Sequence, residues 1–225
     1  MIFIGKAPYR ISLLGGGSDL NWFVNKKNYG ICFGYSLKKY SYSVLNILPS
    51  TASKGILEYS TREDYFSISD IVHPIVREVL KDLEISRFIE LKTFGFASGG
   101  AGLGGSSSFL LSLLSSLSRG FNLGLSELNI IENSCDIEIN KLKKPIGKQD
   151  QYLCGNSGLN SFTFHKNNSV SVNNISENKN KVLERLIDSF YLIPTNKTRN
   201  SDLILSKMKR DNDSIDKLTE IRKIA

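Results

Sequence analysis

Histidine, cysteine and tryptophan are scarce in this 225-residue chain, at two, three and one. His73 and His165 leave little material for a His-dependent catalytic triad, and without a CxxC pair they argue against a structural zinc site. Cys32, Cys135 and Cys154 are too few, too scattered and odd in number for a disulfide framework, which points to a reducing compartment and a cytoplasmic protein. No apolar run reaches the ~18 residues that a membrane span needs. The opening Met1 to Lys6 lacks the charged, apolar and small-residue layout of a secretory signal. What is present, 40% hydrophobic residues, is too much for disorder. The length suits one globular domain, or one domain and part of a second.

The formal net charge is +7. Its basic residues are spread along the chain, with short clusters such as Lys38-Lys39, Lys141 to Lys144 and Lys207 to Arg210. A nucleic-acid binder concentrates such charge on one face and interleaves it with aromatics. The balance fits a solvated surface or a phosphorylated small molecule as well, and no nucleic acid or membrane partner is expected.

The first 60 residues read as strands and turns, from the alternation at Ile11 and Leu13 and the Tyr-, Val- and Ile-rich stretch from Gly30 to Leu48. Apolar residues at three- and four-residue steps predict a helix over about 71–83, with Pro74 in its first turn. Phe88 to Phe94 alternates as a strand. A helix follows Ser108, with Gly120 as its stop, and Ser126 caps another that Pro145 and Gly147 end before Asp150. Asn160 to Val172 reads as a hairpin turning at Asn167-Asn168. From Ser176 the pattern is a helix, a short strand at Phe190 to Ile193, then polar helices.

Four stretches carry chemistry. Ser98 to Ser108 is a glycine run between a strand and a helix. Backbone N–H groups without a Cβ can approach phosphate oxygens there, and the helix N-terminus adds partial positive charge. The P-loop pattern fails because no lysine precedes the serines. Gly100-x-Gly102-x-x-Gly105 matches a dinucleotide fingerprint, but the expected acidic partner, Glu127, falls at a helix start. A flexible glycine linker is disfavoured between a good strand and a strongly apolar helix. Ile131, Cys135, Glu138 and Leu142 share one helix stripe, which places the Glu138 carboxylate on an inward face. It then needs a metal ion or a buried ion pair. Gly147 to Gln151 is a dense polar cluster of the kind that usually forms a surface loop. Ala7 to Leu20 puts Arg10 inside an apolar strand and ends in a glycine turn bearing Ser18 and Asp19.

Together these stretches resemble the GHMP kinases. Ala7 to Leu20 is similar to that family's first motif, Gly102 to Ser108 to its phosphate-wrapping second motif, and Glu138 with Pro145 and Asp150 to its metal-ligand glutamate and catalytic aspartate. Gly15 to Leu20, His73 to Glu78 and Pro145 to Tyr152 are most similar to the heptose 7-phosphate kinases within the family. Two departures stand out: Gly105 occupies a usual serine position, and Ser98 a usual proline position.

The resemblance implies an α+β fold, with an ATP-binding N-terminal domain over residues 1–165 and the opening of a truncated second α+β domain over 166–225. The family's third glycine-rich motif has no counterpart before Ala225. ATP phosphates would lie on Gly99, Gly100, Gly102, Leu103, Gly104, Gly105, Ser106 and Ser107, and Mg²⁺ on Ser106 and Glu138. Asp150 would accept or polarise the anomeric hydroxyl of heptose 7-phosphate, with Arg10 stabilising Asp150 and the migrating phosphoryl group. Ser18 and Asp19 would contact sugar hydroxyls, and Lys148, Arg77 and Arg199 would be candidates for the substrate's phosphate. The alternatives are a GHMP kinase for a free hexose, or an inactive nucleotide- or sugar-binding pseudokinase. A homo-oligomer stays open.

Overall fold

The computed structural model describes residues 1–97, 100–175, 189–193, 201–208 and 213–225. Two long strands, β1 (Ile2–Leu14) and β2 (Tyr29–Ile47), pair antiparallel and form the spine of a seven-stranded sheet. One half of β2 pairs with β5 (Ile89–Gly95) and the other with β6 (Leu159–His165), both antiparallel. β3 (Gly55–Glu58) runs parallel to β5 and carries β4 (Arg62–Tyr65), while β7 (Val170–Asn174) extends the sheet beyond β6. The β1–β2 register shifts between Pro8 and Arg10. Such a bulge twists a strand locally and re-aims the side chain beside it, here Arg10.

Helices pack onto the sheet. α2 (Pro74–Asp82) starts at the expected Pro74, and the His73 ring accepts a hydrogen bond from Val76 N at 3.4 Å as its cap. α3 (Gly105–Gly120) follows the glycine run, and its leucines are buried against β1 and β2. Its inward serines satisfy themselves one turn back, with the Ser112 and Ser116 hydroxyls each donating at 2.8 Å to the carbonyls of Phe109 and Leu113. The main core joins Leu45, Leu57 and Leu91 of the sheet to Val79 and Leu80 of α2 and to Leu110, Leu113 and Leu117 of α3. A second cluster gathers Cys32, Phe162 and Phe164 with Leu111, Ile131, Tyr152 and Leu153.

α4 (Glu127–Asp136) begins at the expected Ser126, whose hydroxyl accepts from Asn129 N at 3.1 Å. It runs straight into a π-helical turn, Ile137–Lys141. Such single turns are rare and occur often at functional sites. All three cysteines are buried free thiols, and burial pushes each above the ordinary thiol range.

Three expectations need correction. The first 60 residues are not only strands and turns, because Asn21–Lys27 forms α1. That helix is seven residues long, buries only the adjacent Phe23 and Val24, and has no side-chain cap, so it leaves no helical period to read. Gln149–Gly155 is a helix, α5, not a surface loop; Gln151 to Cys154 are all buried. Phe190 to Ile193 forms no strand, and Tyr191 and Ile193 lie open to solvent at 90% and 77% exposure.

The β6–β7 hairpin is present, and its turn spans the expected boundary at residue 165, so β7 lies in the same sheet as β6. The helix expected from Ser176 lies outside the described residues. Two polar helices close the chain, α6 (Ser201–Met208) and α7 (Asp213–Ile224). Leu218 of α7 is buried against Leu20 and Phe23.

Candidate active site

β1 brings Arg10 to the glycine run. Its backbone N–H donates to the Leu103 carbonyl at 3.1 Å, and its Nη1 donates to the Gly102 carbonyl at 2.7 Å. The rest of the guanidinium grips Asp150 in the first turn of α5, Nε to Oδ1 at 2.8 Å and Nη2 to Oδ2 at 2.5 Å. This fork is the bidentate geometry that suits arginine to carboxylate. Burial works against the Arg10 charge, but Asp150 beside it holds the guanidinium pKa above its usual value. One buried arginine therefore ties the glycine run to the carboxylate.

The run ends at Gly104, the N-cap of α3, which supplies no side-chain acceptor. The first N–H groups of a helix lack intrahelical partners and are a natural anion site. A Cβ at Gly105 would meet Tyr9 only at 3.5 Å, so the departure to glycine there removes a hydroxyl without being forced by space.

Behind the run, Glu138 is 1% exposed, on the inward stripe that the sequence predicts. Its Oε1 accepts from the Ser106 hydroxyl at 2.6 Å and from Lys144 Nζ at 2.7 Å. Its Oε2 accepts from the Ser107 hydroxyl at 2.9 Å and from Gln151 Nε2 at 2.7 Å. The ammonium of Lys144 also donates to Ser106 Oγ at 2.9 Å, so a cation already spans the two oxygens. Hard hydroxyl and carboxylate oxygens of this kind suit Mg²⁺, which takes few protein ligands and fills its shell from phosphate and water. Among the described residues no group of three His, Cys, Asp or Glu is arranged to hold a metal alone.

Asp19 closes the other wall. It is 3% exposed, and its Oδ2 accepts from Gln149 N at 3.0 Å. Burial pushes its pKa up to about 6, the Gln149 N–H opposes that shift, and the Asp150 charge adds to it. Gly147 is required here by close approach, since a Cβ would lie 2.0 Å from Asp19 Oδ2.

Arg10, Asp19, Gly100, Gly102, Gly104, Gly105, Ser106, Ser107, Glu138, Lys144, Gln149 and Asp150 line one cleft of about 490 Å³, with Ile204 and Leu205 of α6 at its rim. The other expected residues fall elsewhere. Leu103 offers the cleft only its backbone partner, Arg10. Ser18 is fully buried, and its hydroxyl is spent on Ile31, donating to the carbonyl at 2.7 Å and accepting from the N–H at 3.0 Å. Lys148, the residue before α5, turns away from the cleft, pairing with Glu132 at 2.9 Å and donating to the Asn168 carbonyl at 3.3 Å. Arg77 donates to the Ile71 carbonyl at 2.7 Å and faces Glu78. Gly99 and Arg199 lie outside the described residues.

Sequence reasoning missed Ser107 and Gln151 as partners of Glu138, and Lys144 and Gln149 as cleft residues. For Gln151 a signal existed, since it follows Asp150 in the Pro145 to Tyr152 run. For Lys144 the basic cluster from Lys141 hid it.

Residues 71–158 match the model described as GHMP kinases N terminal domain. A curated relative, the D-glycero-alpha-D-manno-heptose 7-phosphate kinase of Campylobacter jejuni subsp. jejuni serotype O:2, is 29% identical over 204 residues, covering 86% of this chain and 60% of that protein. The crystal structure of a D-glycero-D-manno-heptose 1-phosphate kinase from Bacteriodes thetaiotaomicron has a TM-score of 0.69 at 24% identity, over 77% of this chain and 59% of that one. The mevalonate kinase of Methanococcus jannaschii has a TM-score of 0.67 at 13% identity, over all of this chain and 71% of that one. At these identities the structures establish the fold. The chain spans about 60% of the length of the curated relative that it matches.

Proposed function

We propose that the cleft binds ATP and directs the γ-phosphoryl group to a sugar hydroxyl, a reading supported by the match of residues 71–158 to the GHMP kinase N-terminal domain model and by the fold shared with mevalonate kinase. The observation that carries this reading is the double grip of Arg10, on Gly102 and on Asp150. It sets a carboxylate and a buried positive charge beside the N-terminus of a helix, which is where phosphates bind.

In this reading the phosphates rest on residues 100–107, against the first turn of α3. Ser106 and Glu138 would hold Mg²⁺, which would supply charge to offset the phosphate oxygens. Ser107 and Gln151 orient Glu138 through its second oxygen. Arg10 occupies one acceptor direction on each oxygen of Asp150 and leaves others free to accept from the substrate hydroxyl. That hydroxyl oxygen attacks phosphorus, the bond to the departing ADP oxygen breaks, and the hydroxyl proton leaves toward Asp150. Asp19 binds a second sugar hydroxyl, and Arg10 supplies positive charge to the group in transfer.

The acceptor we propose is D-glycero-α-D-manno-heptose 7-phosphate, phosphorylated at its anomeric oxygen. The Pro145 to Tyr152 run and the name of the curated relative support it. Such a product would serve heptose activation for surface polysaccharides. Residues 1–165 would be the ATP-binding domain, to which the pairing of β7 joins that strand. With Lys148, Arg77 and Ser18 engaged elsewhere, none of the three is assigned to substrate. The test is phosphorus NMR of mixtures with ATP, with and without Mg²⁺, against heptose 7-phosphate and free hexoses. A new anomeric phosphate from heptose 7-phosphate supports the reading, and phosphorylation of a free hexose alone overturns the acceptor.

A further inference from the structure

Glu138 has four donors, and among the described residues only Lys144 brings a charge to it. Its position is built by the backbone. After the π-helical turn, Leu142 N donates to the Ile137 carbonyl at 2.9 Å, Lys143 takes a left-handed conformation with φ 54°, and Lys144 N donates to the Glu138 carbonyl at 3.0 Å. The chain thus doubles back, and residue 144 sits over residue 138. The ammonium then closes a triangle with Ser106 Oγ and Glu138 Oε1, with sides of 2.9, 2.7 and 2.6 Å.

We propose that Lys144 is a built-in counter-ion that guards the Ser106–Glu138 pair against free divalent cations, so that metal enters only together with a polyphosphate; this rests on the reading of Ser106 and Glu138 as the metal-holding residues. An ammonium and a divalent cation repel each other and cannot share one pair of oxygens. A carboxylate as buried as Glu138 must nevertheless keep a cation when nucleotide is away, because an unpaired buried charge is strongly destabilising. Lys144 meets that need and can leave. Its side chain is 25% exposed, against 1% for Glu138, and it lines the cleft where the polyphosphate would offer anionic oxygens to receive it. Ser107 and Gln151 stay on the other oxygen and keep Glu138 oriented throughout. Metal and nucleotide are thereby coupled, each raising the affinity of the other by the same factor.

The experiment is a Mn²⁺ titration of the full 225-residue chain without nucleotide, with free Mn²⁺ read by electron paramagnetic resonance. Calorimetry of adenylyl imidodiphosphate with and without Mn²⁺ runs beside it. Lys144→Met should bind Mn²⁺ at least about 5-fold more tightly than the unsubstituted chain, the lower end of ordinary coupling factors. Lys144→Gln should show the same gain, Lys144→Arg should not, and Lys141→Met, matched in charge, should not. Glu138→Gln should lose the Mn²⁺-dependent gain in nucleotide affinity. If Glu138→Gln keeps that gain, the metal reading fails and this inference with it. If Glu138→Gln loses it but both Lys144 variants bind Mn²⁺ no better, the counter-ion role alone is overturned. An equal gain in Lys141→Met would also overturn it, by reducing the effect to net charge.

Discussion

At Glu138 the partners are two hydroxyls, an amide and an ammonium; at Asp150 they are the two arms of one guanidinium. On the proposed reading an ammonium takes a metal ion's place in the first set, and the second fixes a carboxylate in orientation. Asp150→Asn should therefore leave nucleotide affinity nearly intact and lower turnover by about 10²–10⁴, the usual range for acid–base or positioning groups. Steady-state kinetics beside calorimetry checks this, and a matching loss in Glu138→Gln without any change in metal dependence would argue against the division. Asp19 carries a pH signature. Its pKa of about 6 exceeds the ordinary carboxylate value, so between pH 4 and 6 the folded chain holds a proton that the unfolded chain has lost. Its stabilising contribution is full below pH 4 and is lost as pH rises through 6. Urea denaturation should show Asp19→Asn gaining stability relative to the unsubstituted chain between pH 4.5 and 7, and a pH-independent difference would contradict it. The inward stripe made Glu138 legible in the sequence, because burial of a helix face follows from spacing. The diversion of Ser18 to Ile31 and of Lys148 to Glu132 was not legible, because both depend on partners 13 and 16 residues away.

Among elements, those with strong punctuation or strong periodicity were readable. α2 has Pro74, α4 has its Ser126 cap, and α3 is preceded by glycines and filled with leucines. α5 was hidden because Pro145 and Gly147 signal a stop, and its polar first turn reads as a loop. What forms it is tertiary: Gly147 passes within 2.7 Å of the Asp19 backbone carbonyl, measured to where its Cβ would be, and Gln149 N closes onto Asp19. Gly147→Ala should consequently destabilise the chain by roughly 1–3 kcal/mol, as overpacking usually does, with the midpoint of urea denaturation as the readout. On the proposed reading it should also lower affinity for a sugar substrate through displacement of Asp19. The π-helical turn at Ile137–Lys141 carried no sequence signal, since its residues continue the α4 pattern.

On the scale of the molecule, the end of the described chain supports the site that its beginning builds. Leu218 of α7 is 1% exposed against Leu20 and Phe23, and Arg222 donates to the carbonyls of Lys27 and Tyr29 at 3.1 and 3.0 Å. The α1 segment held in this way begins two residues after Asp19. Leu218→Ala should cost about 2–5 kcal/mol if the contact behaves as core, and calorimetric melting would reveal it. The central claim, that the cleft receives a nucleotide's phosphates on its glycine run, is tested most directly at Gly102. Its φ is +73°, a conformation that asparagine tolerates, and a Cβ there would meet no atom of the described residues within 4 Å. The decisive measurement is a calorimetric titration of adenylyl imidodiphosphate with Mg²⁺ into the unsubstituted chain and into Gly102→Asn. The account predicts binding to the first and a loss of roughly tenfold or more in the second, at an unchanged melting temperature; equal affinity for both would contradict it.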